Sequence, residues 1–205
     1  MGFYQDRILP RLIHHTMSQE DFSAYRGRLL PAARGRVLEI GVGSGLNLPL
    51  YPEEVERVIG LDPSSRLLSR ARAAARVRAS PSIELIEGSA ETIPLQNASV
   101  DTVVTTWTLC SIPDVEAALD ELRRVLAPDG QLLFVEHGRA PDERVTRWQD
   151  RLTPLWKRIA GGCHLNRPVC ELLEQAGFRV DHVDTGYMKG PKPMTFMYEG
   201  RAYPG

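Results

Sequence analysis

The sequence is poor in most features that mark specialised protein classes. Only three cysteines occur in 205 residues, Cys110, Cys163 and Cys170. They are too few, and odd in number, for a disulfide framework, and point to a reducing, cytoplasmic setting. No apolar run approaches the roughly 18 residues of a membrane span, and the opening MGFYQDRILPRL lacks a signal-peptide core. Neither charge prevails: 25 Lys plus Arg face 26 Asp plus Glu, for a net charge of -1. That balance excludes a strongly basic nucleic-acid binder. Repeats and low-complexity tracts are missing too. What remains is 42% hydrophobic and 25% charged, a globular balance in a chain long enough to bury about 70% of its unfolded surface.

Apolar β-branched runs alternate with helix-periodic segments, which predicts an α/β fold with a doubly wound, mostly parallel seven-stranded sheet. Strands are expected at 36–40, 57–61, 83–87, 100–106, 131–136, 179–183 and 194–198. The clearest helix is 115–126, where Val115, Ala118, Leu119, Leu122, Val125 and Leu126 repeat on one face. Asp114 is placed to cap it, and Ala127-Pro128-Asp129-Gly130 to stop it. A second helix is expected at 168–175. The pattern suits one domain: a helical cap at 1–35 with an apolar Ile8, Leu9, Leu12 and Ile13 cluster, a core at 36–136, and a lid with the last strands at 137–205. Within that third part, Trp148, Leu152, Leu155, Trp156 and Ile159 predict an amphipathic helix in 138–162.

The most informative segment is Val37-Leu38-Glu39-Ile40-Gly41-Val42-Gly43-Ser44-Gly45-Leu46-Asn47-Leu48, a buried strand running into a glycine turn. Glycines there permit positive φ and let a ligand lie against bare backbone. The spacing is G-x-G-x-G, not the dinucleotide G-x-G-x-x-G, and no Gly-Lys-Ser/Thr follows as a phosphate loop requires. Glu39, two residues before Gly41, would repel a pyrophosphate and attract a cation. Asp62 ends the next strand, where an acid can accept bonds from both hydroxyls of a ribose, or cap the helix beginning near Ser64. The tips carrying Asp62-Pro63, Ser89-Ala90-Glu91 and Thr106 all fall at the carboxyl edge of the sheet, where open α/β folds bind ligands.

In order, VLEIGVGSG, GLD, EGSAETIP, VDTVVTTWTL and LRRVLAPDGQLLFVE resemble the class I S-adenosylmethionine-dependent methyltransferases over most of 36–136. The resemblance implies S-adenosyl-L-methionine as cofactor. It places Gly41, Gly43 and Gly45 against the methionine and ribose portion with Glu39 and Asn47 nearby, and Asp62 and Pro63 at the ribose. Ser89, Ala90 and Glu91 fall beside the adenine, and Thr106 on the sulfonium side. Many relatives carry Asp where Ser89 stands, which leaves the backbone N–H of Ala90 to serve the adenine ring.

Leu109-Cys110-Ser111-Ile112, Val135-Glu136-His137 and Gly162-Cys163-His164-Leu165-Asn166-Arg167 are similar to the alkyl thiol S-methyltransferases and their bacterial relatives. That similarity implies a small, lipophilic thiol acceptor, which needs little general-base help because its pKa is only about 8.5. Gly41-Val42-Gly43-Ser44-Gly45-Leu46-Asn47-Leu48-Pro49 also resembles bacterial phospholipid N-methyltransferases, and both groups resemble quinone-type C-methyltransferases. A partner subunit that binds cofactor without transferring methyl is a third alternative. His137, at a strand tip, is the candidate catalytic residue, against a structural histidine. Cys110 reads as a small buried hydrophobe. No zinc site is expected, since Cys163, Cys170 and His164 lack a second ligand pair. His164 and Arg167 are candidates to line the pocket; His14, His15 and Tyr25 could close over it or simply pack. The arginines at 66, 70, 72, 76 and 78 read as a solvated face, with an anionic membrane surface as the alternative. Peripheral membrane contact is compatible with that alternative, and no pattern specifies an oligomeric state.

Overall fold

In the computed structural model, which describes residues 8–76 and 81–205, the alternation resolves into seven strands and seven α-helices among the described residues. The strands are β1 (Gly35–Ile40), β2 (Val55–Asp62), β3 (Ser82–Glu87), β4 (Val100–Thr106), β5 (Leu126–His137), β6 (Phe178–Tyr187) and β7 (Phe196–Pro204). The helices are α1 (Leu9–Met17), α2 (Glu20–Leu29), α3 (Ser65–Ala75), α4 (Val115–Val125), α5 (Glu143–Ile159), α6 (Val169–Gln175) and α7 (Lys192–Thr195). Arg78 and the first seven residues of the expected cap lie outside the described residues.

The strand order is β3-β2-β1-β4-β5-β7-β6. The five first strands run parallel, and β7 is antiparallel to both β5 and β6. From β1 the chain winds outward to β2 and β3, then returns to β4 on the other side. The crevice between β1 and β4 is therefore the topological switch point.

Successive residues of a buried strand face opposite layers, and β1 shows it. Leu38 and Ile40 join Val103, Leu132 and Phe134 under α4 and α6, while Val37 joins Val58, Val104 and Leu133 under Leu30 and Leu68. In α4 the Asp114 carboxylate accepts from Ala117 N at 3.1 Å, and Ala118, Leu119, Leu122 and Val125 are buried as the periodicity requires. Each buried leucine contributes about 1.5–3 kcal/mol.

Three expectations need correction. The helix ends at Val125, one residue before the expected end, and residues 126–130, expected to lie before the strand, belong to β5. Val100 pairs with Leu126 and Thr102 with Gln131, so the extra residues of β5 shift the register against β4. Met194 and Thr195 are not in the last strand; with Lys192 and Pro193 they form α7, capped by Pro191, and β7 starts at Phe196. Proline fixes a helix-compatible φ at such a start, which outweighs the β-prone Met-Thr-Phe run. The third correction concerns α5. Its buried residues are Val145, Thr146, Gln149 and Thr153, while Trp148 is 49% and Leu155 61% exposed. Gln149 sets this rotation: its amide donates to the Gly138 and Pro193 carbonyls at 2.9 and 3.2 Å and accepts from Ala140 N at 2.9 Å. Buried polar groups satisfied this way outweigh the apolar stripe.

Candidate active site

A cavity of about 670 Å³ opens at the switch point, walled by α1, the loop after β1, the tips of β2 to β5 and the end of α5. Gly41, Gly43 and Gly45 have φ of 64°, 57° and 81°, the left-handed region that glycine enters without penalty. A Cβ on Gly41 would collide with the Thr108 side chain, and one on Gly45 would sit 3.1 Å from Ala71 Cα of α3. At Gly43 the nearest atom would be 3.7 Å away, so here the loop faces open space. Gly41 and Gly43 line the cavity, whereas Gly45 instead packs the loop onto α3.

Glu39 is buried beneath this loop. One carboxylate oxygen accepts from Asn47 Nδ2 at 2.9 Å and the other from the Tyr51 hydroxyl at 2.7 Å. Asn47 Nδ2 also reaches Thr106 Oγ1 at 3.2 Å, and Asn47 Oδ1 is a buried acceptor without a partner among the described residues. Burial raises the Glu39 pKa to about 7, against the Tyr51 and Asn47 bonds and the charge of buried Arg26. An acid held in this way gains from a neighbouring cation.

Asp62 joins two elements. Its carboxylate accepts from Gly43 N at 2.9 Å and from Ser64 N at 2.8 Å, and the cap of α3 is Ser64, whose Oγ accepts from Leu67 N. Burial raises the Asp62 pKa, and the two backbone bonds oppose that rise. Each oxygen retains further acceptor capacity. Pro63, Ser89, Ala90, Thr106 and His137 also line the cavity. Glu91 does not: it accepts from Ser89 Oγ and Asp114 N, both at 2.8 Å, and braces the β3 loop against α4.

From the cap, His14 Nδ1 lies 2.7 Å from Ser44 Oγ of the glycine loop. His15 and Tyr25 stay off the cavity. Tyr25 and Phe22 present ring edges to Trp107 at 6.1 and 5.0 Å, with the Arg26 guanidinium 5.0 Å from the indole. Trp107 lines the cavity at φ 53°, a costly conformation for a bulky residue. Its position at a strand tip was visible in the sequence, but its backbone state and aromatic cage were not.

The same cavity is lined by Met188, Met194, Met197 and Trp156, and by Cys110, His137 and Cys163. His137 Nε2 is 2.9 Å from Cys163 Sγ, which Trp156 Nε1 approaches at 3.3 Å. The hydrogen bond from Cys163 lowers the Cys110 pKa well below its usual range, against burial. Bonding to Cys110, then burial, raises the Cys163 pKa. Burial presses His137 down, but the Cys110 charge and hydrogen bond bring it out above its ordinary value. His164 and Arg167 do not line the cavity. Arg167 is buried and donates to the Leu109 and Ile112 carbonyls, and His164 N donates to the Cys110 carbonyl at 2.7 Å.

A family model for a methyltransferase domain matches residues 38–134. The chain is 37% identical over 166 residues to human thiol S-methyltransferase TMT1B, covering 78% of this chain and 66% of that protein. It is 37% identical over 107 residues to a Cereibacter sphaeroides phosphatidylethanolamine N-methyltransferase, covering 52% of each. A solved structure of a putative methyltransferase from Bacillus halodurans superposes with a TM-score of 0.69 at 16% identity, covering 90% of this chain and 96% of that one. This chain belongs to the class I S-adenosylmethionine-dependent methyltransferases. The chain spans about two thirds or less of the length of both curated relatives.

The methyltransferase's cofactor is S-adenosyl-L-methionine, and the cavity suits it. The molecule carries a sulfonium and an ammonium but no phosphate. The cavity offers a buried acid, an orphaned acceptor at Asn47 and an open cradle over Gly43. Among the described residues no helix is long and apolar enough to cross a membrane.

Proposed function

We propose that the protein transfers the methyl group of S-adenosyl-L-methionine to the sulfur of a small, lipophilic thiol. The observation that carries this reading is that one cavity is lined both by the glycine loop and by three methionines and the Cys110, His137 and Cys163 cluster. Glu39 and Asn47 hold the cofactor's cationic groups; Asp62 and Pro63 serve the ribose; Ser89 and Ala90 flank the adenine; and Thr106 faces the sulfonium. Gly45 and Glu91 act indirectly, through the loop packing and the β3 brace described above. When bound, the cofactor supplies an electrophilic methyl group. The chain's own residues align the acceptor and keep water out, the main requirements of an in-line displacement. His137 is the group at the acceptor end able to take a proton from the thiol. The human relative named as a thiol S-methyltransferase supports the choice of sulfur.

A second reading, methylation of a phospholipid amine, has the bacterial relative and one structural feature behind it. Leu12 and Ile13 of α1 and Leu155 and Ile159 of α5 are exposed apolar side chains, on two helices that also wall the cavity. Mass spectrometry after incubation with methyl-deuterated cofactor decides between them. Alkyl thiols and phosphatidylethanolamine vesicles would be offered together. A labelled thioether is expected, and label in the lipid alone would refute the thiol assignment.

A further inference from the structure

We propose that Cys110, His137 and Cys163 form a three-ligand zinc site whose fourth position opens into the cavity and takes the acceptor sulfur. The second half of this inference rests on the thiol reading above; the first half does not.

The ligand atoms of the three residues lie within 4.8 Å of one another, and His137 Nε2 is already 2.9 Å from Cys163 Sγ. Zinc bonds of about 2.3 Å to sulfur and 2.0–2.1 Å to nitrogen, in a tetrahedron, require separations of about 3.8 Å between sulfurs and about 3.6 Å from sulfur to nitrogen. The His137–Cys163 contact would open toward that spacing, and the Cys110 sulfur starts within 4.8 Å of both. Two thiolates and an imidazole are a borderline-soft donor set that favours zinc over magnesium or calcium, and three protein ligands leave a coordination position free.

The surroundings are built to hold these groups. Cys110 follows β4, His137 ends β5 and Cys163 follows α5. Gly161 and Gly162, at φ 64° and 89°, turn the chain into Cys163, and the His164 N–H bond to the Cys110 carbonyl ties the two cysteine loops together. Trp156 donates to Cys163 Sγ, an outer-shell contact of the kind that orients a metal ligand. Arg167 anchors the carbonyls on either side of Cys110. Two thiolates neutralise the ion, and the Arg167 charge offsets the third thiolate that an acceptor would bring.

In the transfer, the acceptor thiol R–SH loses its proton to solvent as its sulfur occupies the open position; with Nε2 engaged as a ligand, His137 serves the metal, and the metal takes over the proton-releasing role given to His137 above. That sulfur then forms the new bond to the methyl carbon, while the bond from carbon to the cofactor sulfonium breaks. Its electron pair stays on the cofactor sulfur, leaving neutral S-adenosylhomocysteine and a neutral thioether. No oxidant or reductant is involved.

The test uses the whole chain, stripped with chelator and kept under a phosphine reductant. Cobalt(II) titration is expected to give one equivalent bound, with the visible bands of a tetrahedral ion and thiolate charge-transfer absorption. Zinc should abolish both. Cys163→Ala and Cys110→Ser, each checked for a native melting transition, should weaken zinc binding by more than the roughly 10–100-fold that outer-shell losses cause. Cys170→Ser, outside the cluster, should bind as the parent does. No cobalt spectrum with the native sequence, or an unchanged one in Cys163→Ala, would overturn the site. Alkanethiol methylation separates the two halves. Equal rates with and without zinc would overturn the metal's role. A bound, Cys163-dependent metal with no thiol methylated in either state would sink the thiol reading and leave the site standing.

Discussion

Glu39→Gln removes one charge from beneath the glycine loop while keeping the side chain's shape. With a pKa raised to about 7 by burial, about one Glu39 carboxyl in eleven is ionised at pH 6 and about ten in eleven at pH 8. A cationic cofactor binds the ionised form, so the native protein should bind about tenfold more tightly at pH 8 than at pH 6. Binding should also release a proton near neutrality. The variant loses a charge-assisted interaction of about 1.5–3 kcal/mol, or roughly 10–150-fold in affinity at pH 8. It should also lose the Glu39 share of the pH slope. Isothermal titration with S-adenosylmethionine and S-adenosylhomocysteine, from pH 6 to 8 in buffers of different ionisation heat, reads both quantities. A slope that survives the substitution undiminished would refute the assignment of the titrating group to Glu39.

Gly41→Ala should cost about 2 kcal/mol or more in urea unfolding, because φ 64° is unfavourable for alanine and its Cβ meets Thr108. Gln149→Ala should destabilise by about 2–4 kcal/mol, since Ala140 N and the Gly138 and Pro193 carbonyls lose partners. A calorimetric loss under 1 kcal/mol (about the worth of one ordinary bond) would show that water replaces the amide. Glu136, with its pKa raised to about 7 by burial and then by the Cys110 charge, holds its proton longer in the folded state than in the unfolded one. Its contribution is therefore complete below the unfolded value near 4.5 and is lost as pH rises through 7. The decline in urea midpoint from pH 5 to 7.5 should be shallower in Glu136→Gln, and an identical decline would count against this coupling.

The parallel half of the fold was readable because its strands are buried on both faces and its helices carry one apolar stripe, as Val37–Ile40 and α4 show. The antiparallel edge was less legible. Most of β6 is partly or fully exposed, so its hydrophobic signal is weak, and the prolines around Met194 decide the local state. The cofactor side of the cavity followed from motif order, and Glu39 could be read as a cation-facing acid from charge alone. The Cys110, His137 and Cys163 cluster was hidden, because its members come from three separate stretches of chain and no local spacing joins them. The rotation of α5 was hidden for a similar reason, since Gln149 finds its partners in residues far along the chain.

Helix α1 has no buried residue, yet Leu9, Pro10, Ile13 and His14 wall the cavity. A wall without a core of its own opens at little cost. Its seal depends on contacts such as His14 with Ser44 and on whatever occupies the space beneath. Ligand exchange and the fraying of this helix thus draw on a single free energy.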